Sequence, residues 1–252
     1  MLTAENYFSK ENQMKYFGTS QFKAFDKCEA AALAEIRGEY EREKTTALLV
    51  GSYVDAHFEG TLDIFRAKNP DLFTRPGELK TNFRQAEEII QRLERDELFM
   101  EYMSGQPQAI MTGELFGYPW KIKIDSYHQG KAIVDLKVMK DFAPIWVDGE
   151  GKIPFVEAWE YDLQAAIYQA VEGNHLPFII AGATKEKTTD LALFRVPQQK
   201  IDVALKIIEA KIDRFADIKA GIVESVRCEK CDYCKQTKVL TSVVPYEEAV
   251  NE

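Results

Sequence analysis

The stretch that decides the fold is GELFGYPWKIKIDSYHQGKAIVDLKVMK, Gly113 to Lys140. It reads as two short strands joined by a tight connection, with polar residues set into apolar runs. Trp120, Ile122 and Ile124 alternate with Lys121, Lys123 and Asp125, which gives one apolar face and one charged face. After the turn-forming Gln129-Gly130, the run Ala132 to Met139 puts Asp135 and Lys137 on one face and Val134, Leu136 and Val138 on the other. An antiparallel hairpin turning near residues 128–130 sets Asp125 and Asp135 opposite each other or one diagonal step apart. Their backbones then lie within roughly 5–8 Å, a separation that a shared cation bridges. Two acids and a lysine converging from paired strands cost free energy unless they hold a metal and handle a phosphate.

Working outward, the 252 residues suffice for one sizeable domain with a real core. We read the whole chain as one domain: a helical region over 1–44, a core over 45–220 and a cysteine-bearing tail over 221–252. The opening MLTAENYFSKENQ is polar, and no run approaches the ~20 apolar residues that span a bilayer. A soluble, cytoplasmic protein with no membrane partner is expected. A net charge of −9 argues against a nonspecific nucleic-acid coat. Locally the balance reverses, since five lysines stand against two aspartates from Lys121 to Lys140. Charge along one strand face is also what a plain solvated face looks like.

Periodicity predicts mostly helix over 13–45, with Phe22, Phe25 and the run Ala30 to Ala34 as its apolar stripe. A second helix is expected from Thr45 to Glu59, stopped by Gly60. There Tyr53 and His57 extend an inward-facing stripe, where a lone histidine is more often a hydrogen-bonded core residue. A long helix follows over 80–103, with a break near Asp96. Strands are expected over 108–116, 118–127 and 131–139, then a Pro- and Gly-bearing loop over 140–154. Residues 157–172 read as a helix capped by Gly173-Asn174, with Trp159, Leu163, Ala166, Ile167 and Ala170 buried. Tyr161, Gln164 and Tyr168 form a second stripe on it. Strands over 177–184 and 190–196 and an amphipathic helix over 200–219 complete the order. The tail carries RCEKCDYCK and ends in an acidic segment expected to fray.

Helix, three strands, helix, strand, with acids on the second and third strands, resembles the PD-(D/E)XK nuclease superfamily. Asp125 in KIKID looks like its first acid, and Asp135-Leu136-Lys137 like its (D/E)-x-K. His57 in GSYVDAHFEG resembles the helix-borne histidine of the RecB-like branch, and Gln164 and Tyr168 in QAAIY its Q-x-x-x-Y signature. The size and the glutamate on the first strand, Glu114, are most similar to phage RecE-like exonucleases. No proline precedes the first acid, which is Ile124-Asp125.

The resemblance implies a mixed α/β fold, a restriction-endonuclease-like central sheet flanked by helices. It also implies degradation of duplex DNA from its ends, 5′ to 3′, for an annealing protein, by a protein that forms rings. Its metal would be Mg2+ or Mn2+, held by Asp125, Asp135 and the Leu136 backbone oxygen, with His57 completing a shell and Glu114 supporting it. Lys137 would meet the water or phosphate, and Gln164 and Tyr168 the DNA backbone or a bound water.

The cysteines fall at Cys28 and at Cys228, Cys231 and Cys234. Three thiols at C-x-x-C-x-x-C spacing can wrap one soft metal centre, and Cys28 is the remaining candidate for a fourth ligand. AddB and the CRISPR-associated RecB-like nucleases are similar, with one cysteine before and three after the core on a [4Fe–4S] cluster. Here no proline follows Cys28 and the last spacing is shorter, so tetrathiolate zinc stays open, as does no metal with Cys28 a small buried hydrophobe. The cysteine pattern also keeps a single-strand-preferring nuclease of the CRISPR-associated type in view. A noncatalytic DNA-binding module and an ordinary mixed α/β domain are the remaining alternatives.

Overall fold

Capping residues and left-handed positions cut this chain into its elements. In the computed structural model, which describes residues 2–243 and 245, the elements begin with α1 (Lys10–Lys15), α2 (Thr19–Lys27) and α3 (Glu29–Arg37). The helix expected over 13–45 is thus three pieces. Cys28 is extended between α2 and α3, and Gly38, left-handed at φ 74°, ends α3 before 45. Next come α4 (Thr46–Phe58), started by the Thr45 hydroxyl accepting from the Leu48 N–H at 3.2 Å, and α5 (Leu62–Lys68). Single 3-10 turns at Pro70–Leu72 and Thr81–Phe83 precede α6 (Gln85–Glu94) and α7 (Glu97–Met103). The break expected near Asp96 is there, because its carboxylate accepts from the Phe99 N–H at 2.9 Å and starts α7.

The strands β1 (Gln106–Leu115), β2 (Tyr118–His128) and β3 (Ala132–Met139) follow. A small hairpin, β4 (Ile145–Val147) and β5 (Gly151–Ile153), lies within the expected loop over 140–154. The helix read over 157–172 is α8 (Phe155–Ala158) and α9 (Tyr161–Glu172), broken where Glu160 turns left-handed at φ 54°. That break leaves Trp159 half exposed, not in the buried stripe where periodicity put it. Then come β6 (Phe178–Thr184), β7 (Leu191–Arg195), α10 (Gln198–Ala220) and α11 (Asp232–Gln236). Most of the acidic end expected to fray lies outside the described residues.

The five-stranded sheet has the order β1-β2-β3-β6-β7, with β3 and β6 parallel and the other neighbours antiparallel. This is the mixed central sheet flanked by helices that the sequence led us to expect. α9 makes the crossover between β3 and β6, and with α2 and α10 it covers one face. Trp120, Ile122, Ile124, Ile133, Phe178 and Ile180 pack into that layer. α4, α6 and α7 cover the other, over Val134, Leu136, Ile179, Ala181 and Ala183. Each fully buried Val, Leu, Ile or Phe among them contributes about 1.5–3 kcal/mol. No helix among the described residues is long and apolar enough to cross a membrane.

The hairpin that organises the sheet opens at the end where Asp125 and Asp135 stand. β2 and β3 pair only from Ser126–Val134 to His128–Ala132, and the next pair in that register would be Asp125–Asp135. On the β1 side the ladder also omits Asp125, and Gln108 there carries a positive φ of 52°. Ile124 and Tyr127 enter the same core layer although three residues apart. Strict alternation therefore breaks between them, and Asp125 lies at the break.

Candidate active site

Where β2 and β3 part, a cavity of about 270 Å3 is lined by Asp55, Glu59, Asp125, Asp135, Lys23, Lys123 and Lys137, with Gln164, Tyr168, Leu136, Tyr7 and Phe8 around it. Each side chain arrives there for a local reason. Asp125 stands in place of the missing ladder, and its Oδ2 accepts from the Leu136 N–H at 2.9 Å. Asp135 is buried on β3; its Oδ1 accepts from Gln164 Nε2 at 2.7 Å, and its Oδ2 ion-pairs with Lys137 Nζ. The Lys137 ammonium is the partner of this buried oxygen, which makes no other polar contact in the described structure. Lys137 Nζ also reaches the Leu136 carbonyl oxygen at 3.4 Å. Gln164 and Tyr168 face the sheet from α9, both buried, and the Tyr168 hydroxyl donates to the Lys123 carbonyl at 2.9 Å.

The electrostatics follow from packing acids together out of water. Burial, then Asp135 beside it, pushes the Asp125 carboxyl well above its usual range, against the pull of Lys137. Burial raises Asp55 to about 7, with Lys137 opposing and Asp135 and Glu59 adding to the rise. Burial would depress Lys137, but Asp135 and Asp125 outweigh it and hold the ammonium charged. Burial brings Lys23 down to about 8, although Glu160 and Asp135 favour its charge. Four carboxylates, Asp55, Glu59, Asp125 and Asp135, thus share the cavity with three lysines, of which Lys137 sits innermost against Asp135.

Oxygen donors of this kind suit a hard divalent cation: Asp55, Asp125, Asp135 and the Leu136 carbonyl. The donor set and the raised carboxyl pKa values of Asp55 and Asp125, acids packed together out of water, fit that use. In the structure Lys137 holds both Asp135 Oδ2 and, more loosely, the Leu136 oxygen. Among the described residues, the group of three or more metal-ligating side chains whose ligand atoms all lie within 4.8 Å of one another is the four cysteines.

Two of the expected site residues stand elsewhere. His57, on α4, pairs through Nε2 with Glu94 Oε1 at 2.9 Å and does not line the cavity. Successive helical residues turn by about 100°, so Asp55 and His57 point roughly 200° apart, and it is Asp55 that faces Asp125. Glu114 is exposed and pairs across to Pro119, six residues along β1 from Gln108, about 20 Å at strand rise. Gln108 is the β1 residue that reaches Asp125, its Nε2 lying 3.4 Å from Oδ1. Asp55, Glu59, Lys23 and Lys123 went unrecognised in the sequence. The signal for the first two was Asp55 on α4 and Glu59 at its C-cap, one turn apart, carboxylates that no apolar stripe explains.

The four thiols do come together. Cys28 and Cys234 are buried with sulfurs 3.6 Å apart, and Cys228 lies 3.9 Å from Cys234. The Cys231 N–H points at Cys228 Sγ (3.3 Å) and the Cys234 N–H at Cys231 Sγ (3.5 Å). Burial would raise Cys228, but the N–H groups of Lys230 and Cys231 and the neighbouring thiols bring it down to about 6. Burial raises Cys28 and Cys231 instead, so it is the convergence of four soft donors that fits a tetrathiolate metal. A larger cavity of about 340 Å3 beside them holds no acids available for chemistry, since Asp26 is paired with Lys211 and Glu29 with Arg214.

Residues 18–237 match the family described as PDDEXK-like domain of unknown function (DUF3799). The chain belongs to this PDDEXK-like family. It is also similar to a protein from Eubacterium rectale whose crystal structure is described as that of a “putative exonuclease”. The two share 48% sequence identity over 99% of this chain and 98% of the other, with a TM-score of 0.95. No curated protein matches. In this PDDEXK-like chain the D-L-K of β3 and the acid of β2 both border the one cavity described above.

Proposed function

We propose that the protein is a metal-dependent deoxyribonuclease that hydrolyses phosphodiester bonds at DNA ends. The observation that carries this reading is buried Asp135, ion-paired to Lys137 and hydrogen-bonded to Gln164, in one cavity with Asp125 and Asp55. Membership of the PDDEXK-like family and the likeness to a protein described as an exonuclease support it.

Asp55, Asp125, Asp135 and the Leu136 carbonyl would hold a divalent ion, Mg2+ or Mn2+. Once bound, it would offset the charge of the scissile phosphate and make water a better nucleophile. Gln164 fixes the Asp135 carboxylate through Oδ1, while Oδ2, held by Lys137 in this structure, would turn to the ion once it binds. Lys137 stabilises the charge that gathers on the phosphate oxygens in the transition state. Tyr168 holds the β2 backbone at Lys123 and so keeps β2 and β3 parted. Lys23 and Lys123 supply the positive rim that the strand follows. We assign His57 and Glu114 no part in it.

By resemblance to phage RecE-like exonucleases, the whole chain works as one nuclease domain in the cytoplasm, 5′ to 3′ on duplex DNA. A closed ring of copies delivers the remaining strand to an annealing protein. The convergence of the four cysteines favours a second reading, the single-strand-preferring nuclease of the CRISPR-associated type. In either case the thiols hold one centre, [4Fe–4S] or zinc, that ties Cys28 to the tail. A brown protein identifies iron, and a colourless one with one equivalent of zinc identifies the alternative.

The test uses duplex and single strands labelled at either end, incubated with and without Mg2+. Shortening from the ends with Mg2+, none in EDTA and none with Asp135→Asn is the expected pattern. Full activity in Asp135→Asn refutes the assignment, and the position of the label on the shortened product reads the polarity.

A further inference from the structure

Phe8 borders the same cavity, has no role in the chemistry above, and leaves 68% of its surface exposed. A single exposed phenylalanine is ordinary, but this one is held. Tyr7 beside it is buried, its carbonyl accepts from the Lys121 ammonium, and its ring lies 4.5 Å from that ammonium. The Tyr7 and Phe8 rings meet edge to face with centroids 4.9 Å apart. On the other flank Lys123, paired with Glu59 at 3.3 Å, stands 5.9 Å from the Phe8 ring centre. Ser9 then caps α1 by accepting from the Asn12 N–H at 3.3 Å, so the backbone is tied down on both sides of Phe8.

An apolar ring fixed at the mouth of a charged cavity needs a partner that is flat, apolar on its faces and tied to negative charge. A nucleobase next to a phosphate has those properties. The cavity, about 270 Å3, has room for several waters beside the ring. A single unpaired nucleotide is the smallest unit that brings a base face and a phosphate to it together.

Resting on the nuclease reading, we propose that Phe8 is a stacking platform for the unpaired base beside the scissile phosphate, so that the strand enters this cavity single-stranded. Lys123, next to the ring, meets the backbone of the same nucleotide. Every base offers a π-face, so the contact tolerates any sequence.

The test compares wild type, Phe8→Ala, Phe8→Leu and Phe8→Trp on single strands carrying 2-aminopurine next to the end phosphate, bound in calcium to slow turnover. Stacking predicts a quenched fluorophore with wild type and Phe8→Trp, and no quench with Phe8→Ala or Phe8→Leu. In magnesium, KM for Phe8→Ala rises about 5- to 150-fold with kcat much less changed. On a strand with an abasic site at that position, wild type and Phe8→Ala become equal. Equal quench in wild type and Phe8→Ala, or a KM ratio that persists on the abasic strand, overturns the proposal. A wild type that cuts no DNA with any divalent ion overturns the nuclease reading instead, and the calcium binding experiment still decides Phe8.

Discussion

Replacing Asp55 with asparagine should stabilise the metal-free protein at alkaline pH while removing its response to magnesium. Burial raises the Asp55 carboxyl from 3.8 to about 7 in the folded chain, with Lys137 opposing and Asp135 and Glu59 adding to the rise. Below 3.8 both folded and unfolded forms carry the proton, and no penalty exists. From 3.8 to about 7 the unfolded chain has released it and the folded chain has not, so stability falls as pH rises. Above 7 both are ionised and the penalty is constant. A shift of about three units at ~1.4 kcal/mol each gives a ceiling of about 4 kcal/mol at pH 8. At pH 5 about a third of it is present. Asparagine keeps the shape and carries no charge. In a chain of this size 1 kcal/mol moves the melting temperature by about 2–4 °C. Asp55→Asn in EDTA should therefore melt higher than wild type at pH 8, by at most about 8–16 °C, with a much smaller gap at pH 5. Magnesium should raise the melting temperature of wild type at pH 8 and leave the variant unmoved. A variant that melts at or below wild type at pH 8, or a gap independent of pH, refutes the reasoning.

Three further outcomes follow from the same geometry. His57→Ala should keep its nuclease rate within about twofold and lose at most about 1 kcal/mol, the worth of an exposed pair with Glu94; a hundredfold rate loss in the end-labelled assay would return it to the site. Gln164→Ala removes a hydrogen bond to a buried carboxylate, worth about 1.5–3 kcal/mol, so kcat should fall roughly 10- to 150-fold with KM little changed, as read by steady-state kinetics. Cys234→Ser should lower iron or zinc content by elemental analysis and lower the melting temperature; unchanged metal and stability would mean that the cluster is only packed thiols.

The central hairpin was legible because alternation in 118–139 is regular enough to fix two strands and their turn. Turn placement set Asp125 and Asp135 opposite each other or one diagonal step apart; the β2–β3 ladder stops at Ser126–Val134, one pair short of them, and both acids border the same cavity. The helix face of α4 was not legible. An apolar stripe through Tyr53 ran on to His57, but Tyr53 is buried while His57 reaches out to Glu94, and the acids Asp55 and Glu59 face the cavity. Glu114 misled because strand parity is right but distance along the strand is not. Periodicity also missed the breaks at Cys28 and Glu160, single backbone positions inside otherwise helical patterns. The first of these aims a thiol at the tail, a contact between residues some two hundred positions apart that no local rule can see.

The most direct measurement is anomalous diffraction from a crystal soaked in manganese. The account predicts manganese density among Asp55, Asp125, Asp135 and the Leu136 carbonyl, with the Lys137 ammonium moved off Asp135. Density at His57 and Glu94 instead, or none in the cavity at a manganese concentration that supports DNA degradation, would contradict it.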